Sequence, residues 1–229
     1  MFRYAMLFGL MTKQESITAC PLCARKATSP FYRDRKREFF QCLECDLVFV
    51  PPEFHLSPEA EKARYKFHSQ SLTNSGYRAF LNRLFQPLKG KLTPGAHGLD
   101  FGCGKTPTLS VLFEEVGFPC ANYDLYFANH PAVLEKQYGF LTCSETMEHF
   151  QNPREEFERF LQLVKPGGWI GIMTQLHDEA SEFEKWFYKD DSTHLCFFSR
   201  RTFQWLEKTY DLRAEFHPNG VVLFQRPEL

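Results

Sequence analysis

Glu145, Glu148 and His149 stand three and four positions apart, so on a helix two carboxylates and an imidazole would share one face. Such a group could bind a divalent cation, serve as acid and base on a substrate proton, or do no more than cap the local backbone. His194 offers a second imidazole, whose ordinary pKa is close enough to neutrality for it to take a proton from an oxygen or nitrogen acceptor. Around it Trp186, Phe187, Tyr188, Phe197 and Phe198 would form either an apolar wall for a substrate or the core beneath a lid. His194, His149 and Glu145 are the candidate catalytic residues.

Thiols carry a second chemistry. Cys20-Pro21-Leu22-Cys23 and Cys42-Leu43-Glu44-Cys45 are two C-x-x-C knuckles separated by 18 residues. Each knuckle can aim two thiolates at one ion, and two knuckles complete the tetrahedron of a closed zinc site. A redox pair or two disulfides are the competing readings. With four thiolates on the ion no coordination position stays open, so this zinc would be structural. Cys103, Cys120, Cys143 and Cys196 are scattered singly, which favours a reducing compartment over a disulfide framework.

A third feature is Asp100-Phe101-Gly102-Cys103-Gly104, where two glycines let backbone approach a ligand closely. A dinucleotide fingerprint would need a third glycine where Pro107 stands, and a phosphate loop would need one at Leu99. Asp100 would also set a negative charge among the phosphates. An acid just before the glycines suits instead a ligand with a cationic amino-acid end, such as S-adenosylmethionine. Asp124, about 20 residues after the turn, is placed to accept ribose hydroxyls.

These groups need elements to hold them. Leu99 to Phe101 reads as a strand, Leu109, Leu112 and Val116 as the buried stripe of a helix ending at Gly117, and Cys120 to Tyr123 as the next strand. Phe140 to Cys143 is a strand that delivers Glu145, Glu148 and His149 to the sheet edge where ligands of open α/β folds collect. Asn152-Pro153 with Glu155 caps a helix buried through Phe157, Phe160, Leu161 and Val164. Leu212 to Phe216 and Val221 to Gln225 form a hairpin around Pro218-Asn219-Gly220. Upstream, Phe31-Tyr32 and Phe39-Phe40 are strands of the cysteine ribbon, which Pro51-Pro52 closes, and Ser57-Pro58 starts a helix. Tyr77, Phe80, Leu81, Leu84 and Leu88 line one face of another. Tyr65, His68 and Tyr77 could reach a cofactor pocket from these segments.

From about Ser57 onward the chain resembles the class I S-adenosylmethionine-dependent methyltransferases, through Asp100-x-Gly102-x-Gly104 and through Leu163-Val164-Lys165-Pro166-Gly167-Gly168, which is similar to the family's turn before its fifth strand. The resemblance implies an α/β, Rossmann-like sheet flanked by helices, carrying a small N-terminal zinc ribbon. By it Asp100, Gly102, Cys103 and Gly104 line the methionine part of the cofactor, Asp124 holds the ribose, and Glu145 joins the cofactor rim. Only 15 residues separate Asp124 from Phe140, too few for the usual helix, third strand and adenine loop, so the sheet should be short at that edge. The E-x-x-E-H run is similar to that of metal-dependent O-methyltransferases of ubiquinone biosynthesis and of small-RNA 3′ ends. The latter add a later His, which here would be His194. An Mg²⁺ or Mn²⁺ ion on Glu145, Glu148, His149 and His194 is then a further expectation.

The expected organisation is a tail over 1–18, a zinc ribbon over 19–52 and a methyltransferase domain over 53–229. The 229 residues are 43% hydrophobic and 24% charged, with 25 Phe, as befits one folded domain with an aromatic core or pocket. A net charge of −1 gives no field to gather nucleic acid or an anionic membrane. The best basic patch is Arg33, Arg35, Lys36 and Arg37, which reads as a solvated loop face. The apolar stretch from Met1 to Met11 is at the short limit for a signal-peptide core, and Lys13, Gln14 and Glu15 part it from Ile17-Thr18-Ala19-Cys20. A cytoplasmic protein is expected, acting on a small or medium-sized acceptor at oxygen or nitrogen. RNA methylation with the ribbon as RNA grip is the alternative, although Cys20 to Cys45 holds only six Lys or Arg against three acids. A cofactor-binding adaptor without turnover is the non-enzymatic one.

Overall fold

The structure, a computed structural model, describes residues 19–65, 71–179 and 182–228; the expected tail over 1–18 and His68 lie outside these residues. Two sheets are present. The larger orders its strands β5-β4-β6-β7-β10-β9, where β4 is Gly98–Phe101, β5 Cys120–Tyr123, β6 Tyr138–Ser144, β7 Val164–Met173, β9 Arg213–His217 and β10 Val221–Gln225. The first four are parallel and the last two antiparallel, as the Pro218-Asn219-Gly220 hairpin predicts. The sheet ends at β5, and the segment from Asp124 to β6 contributes an isolated bridge between Asp124 and Ala128 and a 3-10 turn at Pro131–Glu135 but no further strand, so the short edge expected from chain length is observed.

Side-chain alternation divides the core between the two faces. Val221 and Leu223 of β10 pack with Leu81, Leu84 and Leu88 of α2 (Ser75–Lys89) and Leu109, Leu112 and Phe113 of α3 (Thr108–Glu114). Val222 and Phe224 turn the other way, toward Phe157 and Phe160 of α4 (Pro153–Leu163) and Phe203 and Leu206 of α5 (Arg200–Thr209). This is the period-two pattern of a sheet covered on both faces. Asn152 does stand before α4, but its side chain caps nothing. The helix begun by Ser57 is α1 (Pro58–Tyr65), and the Ser57 hydroxyl accepts from Ala60 N at 3.3 Å. Among the described residues no helix is long and apolar enough to cross a membrane.

The smaller sheet orders β1-β2-β3-β8, with β1 Thr28–Arg33, β2 Glu38–Cys42, β3 Val48–Phe49 and β8 Cys196–Phe197. The ribbon expected over 19–52 thus completes its sheet with a strand from late in the chain. Val48 pairs with Phe197 and Phe49 with Cys196, and Val50 N donates to Leu195 O at 2.9 Å. The four knuckle cysteines share one buried cluster with Cys196, Phe198 and Phe203. Phe39, Val48, Val50, Tyr188 and Phe197 form a second cluster along the seam, against which Trp186 packs. The aromatics around His194 are therefore chiefly seam core, Phe187 excepted, which is exposed. Polar groups close the seam as well: Ser199 Oγ donates to Asp46 Oδ2 at 2.6 Å and the Arg201 guanidinium to Leu43 O at 3.0 Å.

Candidate active site

The glycine turn leaves β4 with left-handed backbone at both glycines. At Gly102 φ is 78°, and a Cβ would stand 2.3 Å from the Thr146 side chain, so no other residue fits. At Gly104 φ is 66° and nothing lies within 4 Å of where a Cβ would be, which leaves open space for a ligand to approach the backbone. Asp100 is buried and accepts the Thr142 hydroxyl at 2.8 Å. Burial pushes its carboxyl up to about 7 and nearby Asp124 adds to the rise, while the Thr142 bond opposes both. A cation beside Asp100 would reverse that rise, which suits the ammonium end of an amino-acid ligand. Burial first, then the charges of Asp100 and Glu145, push the Tyr77 phenol of α2 up to about 12. Cys103, half-buried, points its thiol toward Gly104 O.

Asp124 follows β5 as expected, yet its carboxylate already has backbone partners. Oδ2 accepts Gly104 N at 3.0 Å, and Oδ1 accepts Tyr126 N at 2.8 Å and Phe127 N at 3.0 Å. It pins the glycine turn to the loop after β5, a role its spacing does not reveal, and these bonds leave one lone-pair site, on Oδ2.

On the other side of the β6 end, the helical face expected for Glu145, Glu148 and His149 does not form. Glu145 has φ 48°, and only Met147–His149 makes a single 3-10 turn, so the left-handed residue breaks the register. Glu148 and His149 converge with His194 instead, one donor atom of each lying within 4.8 Å of the others. Glu145 stays outside this trio, and a four-ligand set including it is not what the geometry assembles. Glu148 is fully buried; Thr174 Oγ1 donates to its Oε2 at 3.0 Å and the Tyr188 hydroxyl to its Oε1 at 2.5 Å. The same hydroxyl is 3.3 Å from Glu145 Oε2. A phenol has one proton to give, and Glu148 takes it. Burial first, then the charge of Glu148, push the Glu145 carboxyl well above the usual carboxylate range, which favours its neutral form.

Both imidazoles are held through Nδ1. His149 Nδ1 lies 3.0 Å from Thr193 O, and His194 Nδ1 lies 2.7 Å from Tyr188 O. A carbonyl only accepts, so each ring, in its neutral form, carries its proton on Nδ1 and presents the Nε2 lone pair. The ring centres are 4.7 Å apart, and Tyr65 of α1 meets His149 edge-on at 5.3 Å. His194 is lowered to about 4, by burial first and by the neighbouring His149, with Glu148 and Asp191 opposing the shift. His194 is thus neutral across the physiological range. Two residues of the site are not apparent in the sequence: Thr174, although its place just past β7 at the ligand-bearing sheet edge is a signal, and Tyr188, which has none beyond its aromatic neighbours.

The four knuckle thiols are buried and unpaired by disulfides. Their sulfur atoms all lie within 4.8 Å of one another, with Cys20 and Cys45 at 3.5 Å and Cys23 and Cys42 at 3.4 Å. A tetrahedron with Zn–S of about 2.3 Å separates sulfurs by about 3.8 Å, so the cluster fits zinc with small expansion.

A family profile described as "Methyltransferase domain" matches residues 70–227, more than half of the chain. The Ubiquinone biosynthesis O-methyltransferase of Hydrogenovibrio crunogenus is 37% identical over 54 residues, which are 23% of this chain and 22% of that protein. The protein of the same name from Proteus mirabilis is 31% identical over 77 residues, 34% of this chain and 31% of that one. The chain spans about a third or less of the length of these curated relatives. Among solved structures, the 1,6-didemethyltoxoflavin-N1-methyltransferase of Burkholderia thailandensis, with bound 1,6-didemethyltoxoflavin and S-adenosylhomocysteine, is 17% identical. It superimposes at a TM-score of 0.50 over 87% of this chain and 100% of that one, a likeness of fold.

Proposed function

This chain belongs to the methyltransferase-domain family, and from that premise we propose that it moves the methyl group of S-adenosylmethionine to an oxygen or nitrogen of a small or medium-sized acceptor, with His194 as general base. The observation that carries the proposal is the His194 ring, anchored through Nδ1 to the Tyr188 carbonyl and converging with Glu148 and His149, which leaves the Nε2 lone pair to accept a proton. S-adenosylmethionine supplies a sulfonium methyl, an electrophile that needs no further activation. Asp100, Gly102, Cys103 and Gly104 would hold its methionine end and Asp124 its ribose. His194 Nε2 would accept the acceptor's proton, and the buried Glu148 carboxylate would stabilise the imidazolium so formed. Glu145, whose neutral form burial favours, would sit beside the cofactor.

A second reading has its own observation. Metal-binding histidines usually donate the other ring N–H to a carbonyl or carboxylate, and here both rings do so while Glu148, His149 and His194 converge. A divalent cation such as Mg²⁺ or Mn²⁺ held there would lower the pKa of an acceptor hydroxyl. Zinc on Cys20, Cys23, Cys42 and Cys45 is proposed independently as a structural ion.

Methyl transfer from labelled S-adenosylmethionine to cell extract, split into metabolite, RNA and protein fractions, tests the proposal. Label is expected in metabolites. Label in RNA alone would overturn the acceptor class, and binding without any transfer would make the chain an adaptor. Activity lost to a chelator and restored by Mg²⁺ or Mn²⁺ would favour the cation. On the cofactor side, Asp124→Ala is expected to weaken S-adenosylhomocysteine binding by the loss of charge-assisted hydrogen bonds, about 1.5–3 kcal/mol or roughly 10- to 150-fold. Asp124→Asn, which keeps one acceptor oxygen, should lose less. Calorimetry returning wild-type affinity for a folded Asp124→Ala protein would remove Asp124 from the site.

A further inference from the structure

Arg37 belongs by sequence to a run of charges on the turn between β1 and β2, yet it is only 7% exposed. Its guanidinium leaves the ribbon and reaches the segment that carries His194. One nitrogen donates to His194 O at 3.0 Å and the other to Lys189 O. The turn that launches it is fixed by Asp34, whose Oδ1 accepts Lys36 N at 2.6 Å and Arg37 N at 2.7 Å. The guanidinium also lies over the Phe39 ring at 5.1 Å.

These bonds matter because of what the bridged segment holds. Lys189 follows Tyr188, whose carbonyl anchors the His194 ring and whose hydroxyl anchors Glu148. His194 precedes Leu195, whose N–H donates to Glu148 O at 2.7 Å and whose carbonyl accepts Val50 N at 2.9 Å. Residues 194 and 195 are thus bonded to the ribbon on one side and to the reacting trio on the other. A planar fork that engages two carbonyls at once sets their separation, which a single ammonium cannot do.

We propose that Arg37 is a positioning residue for His194, and that the cysteine ribbon is a splint for the reacting centre. Arg37 touches no reacting group; it acts by fixing both ends of the segment that closes on the His194 ring. The functional importance of this rests on His194 belonging to the reacting centre, but the positioning can be measured without turnover.

The test uses the full zinc-loaded chain, with Arg37→Met, which keeps the apolar stem and removes every donor, and Arg37→Lys. Histidine-ring NMR reads the His194 tautomer, amide exchange reads Leu195, and calorimetry reads S-adenosylhomocysteine affinity. In Arg37→Met the Nδ1-protonated form of His194 should give way to a mixture, and Leu195 should exchange at least about tenfold faster. Cofactor affinity should stay within about twofold. Arg37→Lys should fall between Arg37→Met and the parent, and it carries the same comparison if Arg37→Met does not fold. An unchanged His194 tautomer with unchanged Leu195 exchange in a folded variant would overturn the proposal. So would a loss of cofactor affinity in step with the ring signals, because that would mark general destabilisation. Failure of His194→Ala to reduce turnover would instead strike the proposed base and leave the splint intact.

Discussion

Replacing His194 with alanine is expected to lower methyl transfer by about 10²-fold or more while leaving S-adenosylhomocysteine affinity near that of the parent. The two effects should separate because the imidazole lies with Glu148 and His149, whereas the groups proposed for the cofactor are those of the glycine turn and Asp124. A proton must leave an acceptor hydroxyl or amine during transfer, and the Nδ1 anchor leaves the His194 Nε2 lone pair as the proposed place for it. His149→Ala should cost less if His194 works alone as base. Equal and large losses in His149→Ala, His194→Ala and Glu148→Gln, together with loss of a bound equivalent of Mn²⁺, would indicate a cation site. Single-turnover rates at saturating cofactor make the measurement. A His194→Ala protein that folds, binds cofactor and transfers at the parent rate would end the case for His194.

The second large effect concerns zinc. The purified protein is expected to carry about one equivalent, and Cys42→Ser to carry none. Structural zinc binding is worth on the order of 10 kcal/mol in small ribbons, and even a fraction of that, at about 2–4 °C per kcal/mol, should lower the melting temperature by on the order of 10 °C or more. The loss should not remain local. Cys42 shares a buried cluster with Cys196, Phe198 and Phe203, and β3 pairs with β8, so the His194 segment should loosen as the ribbon does. Elemental analysis with calorimetry checks both parts. Metal-free protein with native melting, or four knuckle thiols freely reactive in the folded state, would contradict the expectation.

Features written in local spacing are legible in the amino-acid sequence itself. The two knuckles, the Asp100 to Gly104 turn, the Leu81, Leu84 and Leu88 stripe and the missing strand after Asp124 each depend on neighbours a few residues apart or on simple chain length. The features that stay hidden depend on distant partners or on backbone choices without a residue signature. Arg37 among other charges looks solvated until the carbonyls of Lys189 and His194 are brought to it. Glu145 in a left-handed conformation is not what a carboxylate in an E-x-x-E-H run announces, and that conformation takes one acid out of the trio. The spacing of Asp124 points to a ligand, while its bonds to its own loop do not follow from position alone.

The strand that completes the ribbon has a consequence for how the molecule comes to be made. β3 is synthesised early and its partner β8 late, with most of the large sheet encoded between them. Until residues 196 and 197 leave the ribosome, the ribbon holds an open edge, and the loop that must close to cover it is long and entropically costly. The nascent knuckles could gather the proposed zinc, but the apolar side chains of Leu47, Val48 and Phe49 have no native cover yet. The final docking of β8 would therefore join two acts in a single late event, sealing an aggregation-prone edge and delivering His194 to Glu148. A chain that has not finished folding would, by the same connection, be a chain whose proposed base is not yet in place.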